Sequence, residues 1–313
     1  MSLGAEALRS IVAKLGGREV ARRVGVSEGT LRHILGHGGK PRGLTRGRFA
    51  DLFGIAPEAW DPSAAAGPLA RHYPDSVALC RAVLSRSDTV LLSFSCGKDS
   101  LAAWLRLREA GFRRIVPFYL WLVPELEFVE DGIRKYEKFF GETILRLPHP
   151  SFPRLMRSLT FQSPERAEVI EQQRWPNLKY EQVEDHVRAV AKVSRETYVA
   201  VWTRAVDSPI RLANIRQNGS LNAKRRSFLP VYDWRITDVR KAISAAGCGL
   251  PVDYDLFGRS FDGVDARFLG PIKKRFPRDY ERILEWLPLA HLELSRRTLG
   301  RSTSEVSTST PRP

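Results

Sequence analysis

Cysteine is scarce: Cys80, Cys96 and Cys248 are the three in 313 residues. They lie far apart and form no Cys-x-x-Cys pair, so no disulfide framework, zinc site or iron–sulfur cluster is expected. That usage fits a reducing compartment. Long apolar runs are missing too. No stretch approaches the roughly 20 residues of a membrane span, and the N-terminus lacks the charged-then-apolar pattern of an export signal. A cytoplasmic location and no membrane partner are expected. Acidic residues are outnumbered, 35 Asp and Glu against 50 Lys and Arg, for a net charge of +15. A surface this basic favours a DNA or RNA partner over a polyanionic small substrate or a merely basic exterior. The length suits one large domain plus a small one.

What is present is concentrated between Thr89 and Ala110. Val90, Leu91 and Leu92 read as a buried strand. Small polar residues then turn the chain through Ser93, Ser95, Cys96, Gly97, Lys98, Asp99 and Ser100. Leu101, Trp104, Leu105 and Arg108 recur at helical spacing until Gly111. A strand, a tight turn and a helix N-terminus make an anion site, because the first helical amides have no internal partner and the helix dipole adds positive charge there. Gly97 permits close backbone approach, the serines offer hydroxyl donors and Lys98 offers a cation. The alternative is an ordinary strand-to-helix turn. The Walker pattern fails because no glycine precedes Gly97 at its spacing, and the three-glycine dinucleotide pattern is absent.

The remaining pattern resembles the PP-loop of the N-type ATP pyrophosphatases, which reads Ser-Gly-Gly-Lys-Asp-Ser and grips the pyrophosphate end of ATP. Ser95, Gly97, Lys98, Asp99 and Ser100 match. Cys96 replaces the first glycine, as a tolerated small residue or as a thiol whose pKa a helix N-terminus would lower. Two later segments resemble the phosphoadenylylsulfate (PAPS) reductase branch of the same superfamily. In one, Arg204, Asp207, Ser208 and Arg211 follow the apolar run Tyr198 to Trp202, and two guanidiniums at a strand end can grip phosphate. Surface salt bridging is the competing reading. In the other, Pro230, Asp233 and Trp234 precede a helix expected to be capped by Thr237, with Asp238 in its first turn and Trp234 as a core anchor. The resemblance covers about residues 75–260. It implies an α/β fold with a doubly wound, mostly parallel sheet, a nucleotide at the carboxyl ends of the strands, and ATP with Mg2+ as ligands. It does not imply PAPS reduction, since no cysteine follows Cys248.

Residues 1–60 read as a separate helical domain. The segment from Glu19 to Leu35 resembles the helix-turn-helix of repressor-like domains, with Ala21 at the crossing, Gly25 at the turn, Val26 in the core and Ser27 as an N-cap. Arg32 and His33 would face a nucleic acid, and Arg42, Arg46 and Arg48 suit phosphates. A module for protein contacts or homodimer formation is the other reading. Residues 61–74 are expected as a linker, 154–196 as a helical insertion or lid over the site, 261–300 as a helical extension and 301–313 as a disordered tail. His149 sits in the Pro-rich stretch 148–153, read as a rigid loop with an exposed histidine.

The chemistry the resemblance implies is cleavage of ATP between its α and β phosphates. Lys98 and the amides near Gly97 and Ser100 would stabilise departing pyrophosphate, Asp99 would orient the loop or hold Mg2+, and Arg204 and Arg211 would neutralise phosphate. Three classes stay open: an ATP-dependent nucleic-acid-modifying enzyme, a small-molecule adenylyltransferase of sulfur metabolism similar to ATP sulfurylase's PP-loop subunit, and a nucleotide-sensing DNA-binding regulator.

Overall fold

The computed structural model describes residues 3–36, 41–55, 60 and 69–296. Residues 61–68 of the expected linker and the tail from 301 lie outside them. The chain divides into two compact units, residues 1–70 and 71–313.

The first unit holds helices α1 (Leu3–Leu15), α2 (Gly17–Val24), α3 (Glu28–Gly36) and α4 (Gly43–Phe53). Leu8, Val20, Ala21, Val24, Leu31, Ile34 and Phe49 form its core. Helix α2 stops at Gly25, whose φ of 74° is left-handed and suits glycine. A Cβ there would sit 2.7 Å from Arg48 Nη1, which donates to the Val24 carbonyl at 3.0 Å. Ser27 Oγ accepts the Thr30 amide at 3.0 Å and caps the next helix. Helix α4 was not foreseen. Gly43 and Gly47 weaken its intrinsic propensity, and it is held instead by Phe49, whose ring centroid packs 4.9 Å from that of Trp60.

The second unit is α/β. Strands β1 (Thr89–Phe94), β2 (Arg114–Trp121), β3 (Leu145–Pro148), β4 (Val199–Ala200), β5 (Leu221–Asn222) and β6 (Ser227–Phe228) form one sheet in the order β3-β2-β1-β4-β6-β5. Every pairing is parallel except β5 with β6. Its helices are α5 (Ser76–Leu84), α6 (Lys98–Ala110), α7 (Glu127–Phe140), α8 (Ser151–Arg157), α9 (Pro164–Gln172), α10 (Tyr180–Val190), α11 (Pro209–Asn218), α12 (Ile236–Ala246), α13 (Val252–Phe257), α14 (Ala266–Arg275) and α15 (Pro277–Trp286). Strand side chains alternate between faces. Leu91 packs with Val187 of α10 on one face, while Phe94 meets Tyr136 and Phe140 of α7 edge-on on the other. Helices therefore cover both faces, as a parallel sheet requires. Successive strands run outward from β1 to β3 on one side, and β4 begins the other side. This is compatible with a doubly wound fold, in which ligands bind where the strand order reverses.

Three local expectations are corrected. The stretch 148–153 is not all loop: α8 starts at Ser151, because Pro150 and Pro153 lie at the helix start, where a missing N–H costs nothing. Thr237 is not an N-cap. Helix α12 starts at Ile236, and Asp238 accepts the Arg235 amide at 2.7 Å, so the carboxylate fixes the cap at Arg235, two residues earlier. Trp234 is half-buried rather than a core anchor.

The N-terminus of α7 is capped from a distance. Asp279 of α15, 4% exposed, accepts the amides of Glu127 at 2.7 Å and Phe128 at 3.1 Å. Asp279→Ala leaves both donors buried without an acceptor, and urea denaturation is expected to show a loss of about 2–3 kcal/mol. Asp279→Asn retains about half of that. An unchanged urea midpoint in the alanine variant would refute this role.

Candidate functional site

The turn between β1 and α6 is built from buried backbone. Cys96 adopts a left-handed φ of 57°, a conformation that costs a non-glycine residue roughly 1–2 kcal/mol. Its thiol is buried, and burial, with Asp253 and Glu130 pushing the same way, raises its pKa well above the ordinary thiol value. Burial thus opposes activation of this thiol by the helix N-terminus. The Cys80 thiol is likewise pushed up to about 12 by burial, and that of Cys248 is raised.

Gly97 is the N-cap of α6 and admits no side chain without crowding. A Cβ would lie 3.1 Å from Ser260 Oγ, 3.2 Å from Ser95 Oγ and 3.3 Å from Tyr254 Oη. Ser100 is fully buried and knots the turn: it donates to the Gly97 carbonyl at 2.9 Å and accepts from the Ser95 amide and hydroxyl, both at 3.2 Å. Tyr254 Oη accepts the Lys98 amide at 2.8 Å. Among the described residues nothing accepts from the Asp99 and Ser100 amides. Orphan amides at the head of a helix are an anion site.

From this turn a chain of alternating charge runs to the end of β4. Lys98 Nζ donates to Asp99 Oδ2 at 2.7 Å, and Arg204 Nε lies 2.9 Å from Asp99 Oδ1, too bent for a hydrogen bond. Arg204 Nη2 donates to Asp207 Oδ1 at 2.6 Å, and Arg211 Nη1 donates to Asp207 Oδ2 at 2.9 Å. The Arg204 side chain is 5% exposed and that of Arg211 is 42% exposed. Ser208 Oγ accepts the Arg211 amide at 3.2 Å and caps α11.

A cavity of about 1040 Å³ opens at the carboxyl ends of β1 and β4. Of the motif residues singled out in the sequence, Ser93, Ser95, Gly97, Lys98, Asp99, Asp207 and Arg211 line it. Cys96, Ser100, Arg204 and Ser208 do not; they hold the walls in place from behind. His149, Tyr180, Glu184, Arg225, Tyr254 and Ser260 also line it. No local motif marks these six. A basic run, Lys224 to Arg226, is the one sequence feature that could have pointed to Arg225.

His149 is half-buried at this wall rather than exposed. Its Nδ1 accepts the Ser151 amide at 3.0 Å, so the ring proton resides on Nε2, which faces Tyr180 Oη at 3.0 Å. Burial lowers its pKa, and Arg154 adds to the effect.

In the first unit Arg32, His33 and Arg42 are exposed, and Arg46 is half-buried with Nε donating to the Pro41 carbonyl at 2.8 Å. Arg48 serves Val24. Among the described residues no group of three or more His, Cys, Asp or Glu could hold a metal, and no helix is long and apolar enough to cross a membrane. No family model matches the chain, and no curated protein matches it.

Two measurements check this site. In proton NMR, His149 is expected to titrate below the free imidazole value of about 6.5. Since its folded pKa is lowered, stability held by the neutral ring is present at neutral pH and is lost as pH falls through that range. A midpoint at or above the free value refutes the assignment. In the second, a thiol reagent at pH 8 is expected to leave all three cysteines of the native protein unmodified on the time scale on which it labels the guanidinium-unfolded chain. Rapid native labelling of Cys96 would show that its thiol is accessible and ionised.

Proposed function

We propose that this chain is a PP-loop enzyme, similar to the PAPS reductase branch, that cleaves ATP between its α and β phosphates to adenylate an acceptor in a nucleic acid. The observation that carries this reading is the orphan amide of Asp99 at the head of α6, beside Lys98 and Arg211 in the lining of a cavity at the β1–β4 crevice. Its volume of about 1040 Å³ exceeds what most small-ligand pockets need and leaves room for a second reactant.

The roles follow from geometry. The triphosphate tail enters at Gly97, where a side chain would obstruct it, and one of its oxygens replaces Tyr254 Oη at the Lys98 amide. An ionised acceptor oxygen attacks the α phosphorus. The bond from that phosphorus to the bridging oxygen breaks, and pyrophosphate departs with the electron pair. Lys98 and the Asp99 amide stabilise the growing charge, an effect worth about 100-fold or more in rate for a single positioned donor. Arg211 neutralises phosphate at the rim. Arg204 acts behind the wall, holding Asp99 and Asp207. Asp99 fits an orienting role better than a magnesium role, because its oxygens stand 2.7 and 2.9 Å from cations and would have to leave Lys98 to bind a metal. Magnesium carried by the triphosphate would supply charge neutralisation.

The first unit serves docking in this reading. The Gly25 turn, the Ser27 cap and the buried Ala21 fit a helix-turn-helix, which presents Arg32 and His33 on α3. Use of this unit for assembly alone is the alternative.

Lys98→Ala is expected to lower ATP-dependent pyrophosphate release by about 100-fold; full release in that variant would rule out the assignment. DNA or RNA binding is expected to weaken steeply with salt, and Arg32→Ala and Arg42→Ala should each reduce the slope of log affinity against log salt by about 1. Salt-independent binding, or none, would leave the first unit to assembly.

A further inference from the structure

Glu184 stands apart from every role above. It lies on α10, is 7% exposed, and lines the cavity. No described residue gives its carboxyl a hydrogen bond or an ion pair. The cations whose charge it feels bond to other groups, although Arg188 Nη2 is buried without a hydrogen-bond partner. Arg225 pairs with Glu181 at 3.2 Å, and Arg188 donates to the Thr197 carbonyl at 3.0 Å and to Asp185 at 2.8 Å. Burial raises the pKa of Glu184, and Glu181 and Asp185 push the same way. A carboxyl buried without a partner is costly, and the open side of this one is the cavity.

Its neighbours define the ligand. Tyr180 lies one turn before Glu184 on the same helix face and meets His149 edge-on at 88°, with ring centroids 5.6 Å apart. Leu155, Val183 and Trp202 line the same cavity. Aromatic and aliphatic walls with one buried carboxyl suit a flat, mostly apolar group that carries an N–H donor. A nucleobase with an exocyclic amino group has that chemistry, and a carboxylate accepting from a cytosine amino group is an established pairing. We infer that Glu184, flanked by Tyr180 and His149, forms an acceptor subsite for an amino-bearing nucleobase, at a part of the cavity separate from the phosphate-gripping turn. This rests on the reading of that turn as a nucleotide site.

The test uses the full chain saturated with α,β-methylene-ATP, a non-cleavable analogue, into which cytidine, adenosine, guanosine and uridine are titrated by calorimetry. At least one amino-bearing nucleoside is expected to bind about tenfold more tightly than uridine, which has a ring N–H but lacks the exocyclic amino group. Glu184→Ala is expected to abolish that preference. Glu184→Gln keeps the volume and one acceptor oxygen, retains part of the preference, and serves if the alanine variant does not fold. Equal binding of uridine, no binding of any nucleoside, or an unchanged preference in both variants overturns the subsite while leaving the nucleotide reading intact. If the variants lose the analogue instead, Glu184 reads the adenine of ATP and the acceptor assignment is wrong. If the wild-type chain does not bind the analogue, the nucleotide reading fails and the subsite falls with it.

Discussion

The second unit depends on the alternating charges that run from Lys98 through Asp99, Arg204 and Asp207 to Arg211. Two loops leaving neighbouring strands meet there, and Arg204 is the buried pin between them. Forming such a network roughly breaks even, because desolvation of the ions offsets their attraction. Removing one member strands a buried charge and costs about 3–5 kcal/mol. The network is therefore better understood as a constraint on geometry than as a source of stability. It fixes where the turn at Gly97 stands relative to the end of β4. It also divides the labour among the cations: Arg204 is consumed within the wall, whereas Lys98 and Arg211, at the two ends, line the cavity.

Around this chain, burial drives the other titratable groups toward neutrality. Tyr119, Tyr136 and Tyr254 are all raised, Tyr254 to about 12, chiefly by desolvation. Asp253 is raised as well, although the Phe261 amide donates to it at 2.9 Å, and His149 is lowered. An environment that suppresses charge on its own groups also strengthens interactions with an incoming ion. In the proposed reaction that environment would act on phosphate oxygens next to Lys98. The Tyr254 hydroxyl accepts the Lys98 amide and so satisfies that donor.

The expected boundaries were good where one short stretch contained its own physics. The stop at Gly111 falls where apolar spacing and a left-handed glycine place it; the strand read at 90–92 extends over Thr89–Phe94, and the helix read from Leu101 starts at Lys98, because the polar residues of the turn share in both elements. The α/β class was what the motif resemblance implied, and the six-stranded, mostly parallel sheet agrees with it. Short strands were harder. Tyr198 to Trp202 reads as a full strand, yet the ladder is confined to Val199 and Ala200, because β6 offers only two partner residues. Helix α4 was invisible because two glycines hide a segment that tertiary packing of Phe49 rescues.

The sequence by itself determined the tight turn between β1 and α6, because its requirements are local: a small-residue bend and helical spacing directly after. It also determined the cysteine-poor, basic character of the chain. Only the tertiary structure decided which residues reach the cavity. Arg204 and Ser208 look like ligands in the motif but are consumed by Asp207 and by a helix cap, whereas His149, Glu184 and Tyr254 carry no motif and yet line the wall. The reason is physical. Whether a side chain is a strut or a hand depends on the partners that distant segments bring to it, and no spacing along the chain records them.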